Sequence, residues 1–396
     1  MIRYLCLFIL LLCGLTMVKV WAYEQAVDQA TGATDRVYLP ETMPWNGDLI
    51  IYAQGFVAPT PTPYIPENQL VLPNGTSVPS MITSLGYAFA VTSFRTNGLN
   101  IKYGVDDLRR LKAYFISLHG IPHTTYLVGI SEGGLITALA LEQQAGVFDG
   151  GLALCAPVGD FRRQLDYMLD FRVVFDYFFP GLLPGSALAI PPAVMAGWEI
   201  IYAPRILAAV AAQPYATAQL LQVTKVPVDP HKSDSAGKII VHLLWYNVFA
   251  TNDAVAKLGG NPYDNRQRWY SGSMNDLKLN QGVRRYIADP NALAEIARYY
   301  QTSGHLCAPL ITMHATGDPT VPYWHETSYS ERCITAHAAF QRINMPVTCF
   351  GHVNFRTCNL ANAFMALIER MSAPFVARTE VASQSEDQRK RAVSSP

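Results

Sequence analysis

The chain has 396 residues, which is long enough to bury a sizeable core. Basic and acidic residues balance at 30 each and charged residues make up only 15%, so no net field exists to hold a polyanion and we expect no binding to nucleic acid. Half of the residues are hydrophobic and Gly and Pro number 27 and 26, which excludes a disordered or fibrous protein and indicates a globular fold rich in loops.

The N terminus has the pattern of an export signal. Arg3 precedes an apolar run over 4–18, and Val20 and Ala22 stand where a signal peptidase reads its substrate. We therefore predict that residues 1–22 are a signal peptide and that the mature protein is secreted or periplasmic. The run is shorter than the ~20 residues of a membrane span, so no stable span is expected after cleavage. An uncleaved anchor, or a lipoprotein signal ending at Cys13, is the alternative.

Short aliphatic or β-branched runs, each bounded by turn residues, predict buried strands farther along the chain. Amphipathic helical patterns lie between several of these runs. Alternating strands and helices are typical of an α/β fold, with a mostly parallel sheet covered by helices on both faces. The predicted strands are 48–52, 87–92, 125–130, 151–156, 309–314 and 346–350, and the predicted helices are 105–119, 132–144 and 355–371.

One long region interrupts this alternation and predicts an inserted domain. Residues 159–306 are helical in pattern and rich in proline and aromatic side chains, so we interpret them as a helical cap inserted into a core made of 23–158 and 307–374. The aromatic residues from Tyr167 to Phe179 predict the cap's own core, with an acyl pocket as the alternative. The polar residues 375–396 predict a disordered tail.

Five cysteines remain after the predicted cleavage. Four of them lie in the last ninety residues and, in an exported chain, are candidates for two disulfides of unspecified pairing. Cys155 lies in an apolar run and predicts a buried free thiol. Their spacings match no zinc site, and we expect neither a metal nor an organic cofactor. The four clustered cysteines are Cys307, Cys333, Cys349 and Cys358.

The clearest chemical signal is the segment 129–134, GISEGG. It follows the apolar run 126–128 and opens a helical pattern, and a strand, a tight turn and a helix are the context that a G-x-S-x-G nucleophile elbow needs. A serine raised on a strained turn needs neighbours without side chains, and Gly129 and Gly133 meet that need. Ser131 is therefore the predicted nucleophile.

A serine hydroxyl needs a base, and a histidine base needs an acid to orient it. Asp318 follows the predicted strand 309–314, and His352 follows the predicted strand 346–350, so both would lie at the carboxyl edge of the sheet with Ser131. Asp253 and Asp160 are the alternative acids. We expect structural roles for the remaining histidines that could compete, which are His305, His314, His325 and His337.

Three segments carry a resemblance to a known superfamily. GISEGG, HATGDPTVP around Asp318 and GHVNF around His352 resemble the exported serine esterases of the α/β-hydrolase superfamily, among them capped bacterial carboxylesterases and polyester hydrolases. The resemblance implies hydrolysis of small or polymeric carboxylic esters through a Ser-His-Asp triad and an acyl-enzyme. A prolyl-oligopeptidase-like peptidase and a catalytically silent binding protein are the alternatives.

The same resemblance implies two backbone donors for the oxyanion. In this superfamily the loop after the third strand usually carries His-Gly, whereas here Gln54 stands in the histidine position. Stabilisation of the oxyanion needs only backbone N–H groups, and we expect those of Phe56 and Glu132 to supply it. The Glu132 side chain is expected to form a supporting hydrogen bond near the site or to interact favourably with the start of its helix, and not to act in catalysis.

Overall fold

The structure is a computed structural model that describes residues 22–72 and 74–372. The predicted signal peptide, apart from its last residue, and the predicted tail lie outside the described residues.

A single eight-stranded sheet organises the part of the chain that is described, with the strand order β1-β2-β4-β3-β5-β6-β7-β8. β2 runs antiparallel to its neighbours β1 and β4, and all other neighbouring strands are parallel. The strands are β1 (Glu24–Val27), β2 (Thr34–Tyr38), β3 (Leu49–Ala53), β4 (Ala88–Thr92), β5 (Thr125–Ile130), β6 (Gly150–Leu154), β7 (Leu310–Gly317) and β8 (Arg342–Phe350).

All six predicted strands are confirmed, as β3 to β8. Every residue of β3, β4 and β6 is buried, as expected for parallel strands with helices on both faces. β1 and β2 were not predicted, because β2 carries the charged pair Asp35 and Arg36 in place of a clean apolar run. The Arg36 guanidinium is held by the carboxylate of Glu67 at 2.7 Å, a partner that no local pattern reveals.

Helices cover the two faces of the sheet. One face packs against α2 and α3, and the other packs against α1 and α12. The three predicted helices are confirmed as α2, α3 and α12, although α2 begins four residues before its predicted start. The helices outside the long insertion are α1 (Val78–Thr83), α2 (Ile101–His119), α3 (Glu132–Gln143), α11 (Trp324–Thr335) and α12 (Thr357–Ser372).

Between β6 and β7 the chain forms a helical layer with a buried cluster of its own. Phe171, Phe175 and Phe179 lie inside that cluster, together with Trp198. These aromatic side chains therefore form the interior of the insertion. Its helices are α4 (Phe161–Phe178), α5 (Pro192–Ala196), α6 (Ala203–Ala212), α7 (Pro214–Thr224), α8 (Ser235–Leu258), α9 (Asp276–Gly282) and α10 (Pro290–Tyr299), and a π-helical turn, Trp198–Tyr202, precedes α6.

The cysteines differ in part from the prediction. Cys155 is a buried free thiol, as predicted. The two predicted disulfides are not formed, since Cys307, Cys333, Cys349 and Cys358 are all free thiols. Cys333 is buried in the core, whereas Cys307 and Cys358 are exposed. Among the described residues, no helix is both long enough and apolar enough to cross a membrane.

Candidate active site

Ser131 sits on a strained turn between β5 and α3. Its backbone has φ 54° and ψ −119°, a conformation that a residue with a side chain rarely adopts. Backbone hydrogen bonds hold it there: Ser131 N–H donates to the carbonyl of Leu154 at 2.8 Å, and the carbonyl of Ser131 accepts from the N–H groups of Gly134 at 3.0 Å and Leu135 at 3.2 Å. The turn therefore projects the Ser131 side chain from the carboxyl edge of the sheet.

The two predicted elbow glycines are required by space. A Cβ atom on Gly129 would lie 2.1 Å from the carbonyl oxygen of Gly133, and a Cβ atom on Gly133 would lie 2.0 Å from that of Ala53. Both contacts are with backbone, which cannot move aside as a flexible side chain could. Gly129 and Gly133 thus let β5, α3 and β3 approach closely enough to hold Ser131 in its turn.

Asp318 and His352 come together at the same edge. Asp318 is fully buried in the turn after β7, and its Oδ2 accepts a hydrogen bond from Nδ1 of His352 at 2.7 Å. Its Oδ1 accepts from the N–H groups of Thr320 at 2.8 Å and Val321 at 3.0 Å. Burial opposes ionisation of this carboxyl, but its interaction and hydrogen bond with His352, the charge of His314 and the Val321 amide together hold its pKa below the ordinary value.

The second ring nitrogen of His352 has no hydrogen bond of its own among the described residues. This atom, Nε2, is buried, and its lone pair is open to a proton. Ser131 and His352 line the same cavity, whose volume is about 480 Å³. An oriented imidazole and a serine on a strained turn therefore line one cavity that a substrate can enter.

The candidate oxyanion donors, Phe56 and Glu132, both line a smaller cavity that also contains Ser131. Glu132 is the first residue of α3, where N–H groups have no acceptor within the helix. Phe56 follows β3 and lines the cavity with Ser131. Gln69 fixes this loop, because its Oε1 accepts from the N–H of Gly55 at 2.8 Å and its Nε2 donates to the carbonyl of Phe56 at 3.5 Å.

Gln54, at the position where the sequence resemblance implies a histidine, does not line the cavity. Its side chain is buried, and its Nε2 donates to the carbonyl of Ser93 at 3.4 Å. Gln54 therefore ties β3 to the end of β4. Stabilisation of an oxyanion by this loop would use backbone N–H groups, so it does not depend on the Gln54 side chain.

The Glu132 side chain points toward α2 and not toward the cavity. Its Oε1 accepts a hydrogen bond from the N–H of Asn100 at 2.6 Å, immediately before the first turn of α2. Burial raises the pKa of this carboxyl to about 7, even though the Asn100 amide and the charge of Lys257 favour its ionised form. Glu132 is thus a buried carboxyl that joins the starts of two helices.

The buried histidine His314 lies next to Asp318, and the sequence predicted only a structural role for it. Nε2 of His314 is 3.6 Å from Oδ2 of Asp318 and donates to the carbonyl of Val321 at 2.7 Å. Its Nδ1 pairs with Glu326 at 2.9 Å. Despite burial, this carboxylate raises the pKa of His314 above its ordinary value. Thr312 at 2.7 Å and Arg342 bind the other oxygen of Glu326.

The alternative acids and histidines are engaged elsewhere. Asp253 accepts from the N–H of Leu99 at 2.7 Å, and Asp160 caps α4. His325 is buried and bonds to Gln164 at 2.9 Å. His305 lies in the loop before β7, and His337 lies in the turn after α11. The alternative acids and His325 thus have clear structural contacts of their own.

One group of side chains has the composition of a cation site. Ligand atoms of Cys155, His314 and Asp318 lie within 4.8 Å of one another, and all three residues are buried. The hydrogen bonds around them do not fit a metal, because both nitrogens of His314 face oxygen acceptors and so carry protons. Burial also raises the pKa of the Cys155 thiol well above its usual value, which keeps this sulfur protonated.

The strand order, the strained serine between β5 and α3 and the chain order Ser131, Asp318, His352 together define the α/β-hydrolase fold. No protein-family model and no curated protein sequence matches the chain.

Several solved structures are similar to the chain at low sequence identity. Dipeptidyl peptidase 4 of Porphyromonas gingivalis is 11% identical with a TM-score of 0.41, over 88% of this chain and 35% of that one. An acylaminoacyl peptidase of Pyrococcus horikoshii is 12% identical with a TM-score of 0.39, over 84% of this chain and 37% of that one. Est1E of Butyrivibrio proteoclasticus is 11% identical with a TM-score of 0.38, over 89% of this chain and 99% of that one. The chain therefore spans little more than a third of the two peptidases that it resembles.

Proposed function

We propose that this protein is an exported serine hydrolase that cleaves carboxylic esters. The observation that carries the proposal is the pair Asp318 and His352, joined at 2.7 Å, on a cavity that also contains Ser131 on its strained turn. The buried carboxylate orients the imidazole and stabilises the positive charge that the ring acquires when it takes a proton. The export half of the proposal rests on the N-terminal sequence pattern alone.

The reaction follows from these groups. Nε2 of His352 takes the proton of the Ser131 hydroxyl while the Ser131 oxygen bonds to the ester carbonyl carbon. The charge that develops on the carbonyl oxygen is held by the N–H groups of Phe56 and Glu132. The carbon–oxygen bond to the alcohol then breaks, and the leaving oxygen takes the proton from Nε2. Water gives a proton to Nε2, attacks the acyl-enzyme and releases the acid, and Ser131 regains its proton.

The lining of the cavity favours an uncharged substrate. Aliphatic and aromatic side chains from β3, β5 and β6 form much of its wall, among them Tyr52, Val128 and Leu154. The described residues that line it include no Asp, Glu, Lys or Arg. Transfer of an apolar or aromatic ester from water to this apolar cavity costs little free energy. A charged substrate would lose its hydration and find no side chain of opposite charge in the cavity.

The first test labels the purified mature protein with a fluorophosphonate and locates the adduct by peptide mass spectrometry. We expect the adduct on Ser131 and hydrolysis of short p-nitrophenyl esters in preference to blocked peptide anilides. Ser131→Ala should lose turnover by roughly 10³-fold or more, as removal of a triad serine does. Ser117→Ala, which alters an exposed serine on α2, is the matched control and should keep both properties.

Three results would count against the proposal. Full activity in Ser131→Ala would remove the assigned nucleophile. A preference for peptide anilides would make the protein a peptidase. An intact, folded protein without an adduct and without turnover would be a binding protein with this fold.

A further inference from the structure

Two cavities meet at Ser131 on opposite sides. The larger, of about 480 Å³, lies between the sheet and the layer formed by α1 and α12, where Ile50, Ile82 and Phe364 line it. The smaller, of about 120 Å³, lies between the start of α3 and the insertion, where Phe161 and Met168 line it. A bound ester could therefore extend into two cavities of very different size.

A narrow wall separates the two cavities. Phe56, Ser131 and Tyr246 line both of them, and the rings of Phe56 and Tyr246 pack with centroids 5.8 Å apart. Both cavities therefore begin at the serine, and an ester carbonyl bonded to Ser131 would extend one substituent into each.

The position of His352 decides which substituent enters which cavity. His352 lines the larger cavity and is not among the described residues that line the smaller one, whereas Glu132 lines only the smaller of these two. During the reaction the imidazole gives its proton to the oxygen of the leaving alcohol, so that oxygen must lie on the side of His352. The acyl chain then extends on the other side, past the N–H of Glu132.

We infer that the larger cavity binds the alcohol and the smaller cavity binds the acyl group, so that the natural substrate class is a short-chain acid ester of a large, uncharged, apolar alcohol. This inference rests on the proposed esterase function. The alcohol cavity is the larger by a factor of about four. Glu132 is the only Asp, Glu, Lys or Arg among the described residues that line either cavity, and its side chain is bound to Asn100.

Two isomeric esters test this assignment without any mutation. Decyl acetate and methyl undecanoate contain the same atoms and differ only in the side of the ester bond on which the long chain lies. We expect kcat/KM for decyl acetate to exceed that for methyl undecanoate by roughly 10-fold or more, because a cavity of limited size discriminates strongly against added methylenes. Equal values, or a preference for methyl undecanoate, would overturn the assignment.

One variant in each cavity tests which part of the ester that cavity binds. Val78→Phe, on α1, narrows the larger cavity and should lower the ratio of decyl acetate to ethyl acetate kcat/KM by roughly 10-fold. Met168→Ala, on α4, widens the smaller cavity and should raise the ratio of decyl hexanoate to decyl acetate kcat/KM. Val27→Phe adds the same bulk to the exposed strand β1 and should change neither ratio.

The opposite pattern, in which Val78→Phe changes the response to acyl length and Met168→Ala the response to alcohol length, would contradict the inference. Thermal unfolding of each variant shows whether it folds. A protein that forms no fluorophosphonate adduct and cleaves neither isomer would defeat the proposed function itself. A protein that forms the adduct but prefers methyl undecanoate would keep the proposed function and lose only the assignment of the two cavities.

Discussion

Among single residues, His314 adds to the interactions of His352 that favour the ionised form of the fully buried Asp318. The carboxylate of Glu326 holds His314 in its charged form, and that charge lies 3.6 Å from Asp318. The same ring donates to the carbonyl of Val321, whose N–H donates back to Asp318. His314 thus forms buried ion pairs with both Asp318 and Glu326, and it is a positioning residue for the candidate acid of the site.

We predict that His314→Gln lowers kcat by roughly 10-fold with a smaller change in KM, since it disturbs orientation and not binding. Loss of the positive neighbour raises the pKa of Asp318, so the acid limb of the kcat/KM profile should move to higher pH. The pH profile is the decisive measurement, because mere loosening of the fold would not move it. His305→Gln, at an exposed loop position, is the control, and an unmoved acid limb in His314→Gln would refute this role.

This contrast shows which residues of the candidate site a sequence reveals. Ser131, Asp318 and His352 each follow a recognisable strand, and the fold brings the ends of parallel strands to one edge. His314 and Glu326 have no such signal. Their pairing joins β7 to α11 and depends on how that helix packs, so His314 read alone is only a histidine inside an apolar strand.

At the scale of elements, Glu132 links the start of α3 to the start of α2. Its carboxyl accepts the N–H of Asn100, and burial raises its pKa to about 7. The unfolded chain loses this proton near the ordinary value of 4.5, so the folded protein binds a proton that the unfolded chain has lost between these two pH values. The contribution of Glu132 to stability therefore falls as pH rises through this range.

We predict that Glu132→Gln removes this dependence, because an amide keeps the acceptor oxygen and cannot ionise. The melting temperature of the variant minus that of the wild type should rise by roughly a few degrees between about pH 5 and about pH 8. Calorimetry across that range measures it. Glu369→Gln, on the exposed surface of α12, should give a difference that does not change with pH. A flat difference for Glu132→Gln as well would show that Glu132 is not protonated in the folded state.

Some elements and element boundaries of this fold have no local sequence pattern. The predicted helix 105–119 began at its first apolar face residue, whereas α2 begins at Ile101, where Glu132 supplies an acceptor from a distant turn. β1 has no clear pattern because it is a short, mostly exposed strand at the edge of the sheet, and β2 has none because its buried run contains the charged residues Asp35 and Arg36. Local apolar patterns identify buried strands well, but a boundary set by a long-range contact carries no local pattern.

At the scale of the whole molecule, the insertion supports the turn that carries Asp318. The hydroxyl of Tyr167 donates to the carbonyl of Pro319 at 2.7 Å, and Nε2 of Gln164 donates to the carbonyl of Thr320 at 2.8 Å. Both donors belong to α4, the first helix of the insertion. From α8, Nε2 of His242 lies 3.0 Å from Oγ1 of Thr320. The insertion therefore helps to hold the acid in place as well as lining the smaller cavity.

We predict that Tyr167→Phe lowers kcat by roughly 3- to 10-fold and leaves KM nearly unchanged, because the Pro319 carbonyl loses its donor and the turn loses part of its restraint. Gln164→Leu should act in the same direction. Because both side chains restrain one turn, the double variant should lose less kcat than the product of the single effects. Steady-state kinetics on a short p-nitrophenyl ester measures this coupling.

Tyr215→Phe is the control, because it removes a hydroxyl from a tyrosine of the insertion that is 82% exposed, and it should match the wild type. Fully multiplicative losses in the double variant would mean that the two contacts act independently, and that the insertion does not position Asp318 through this turn.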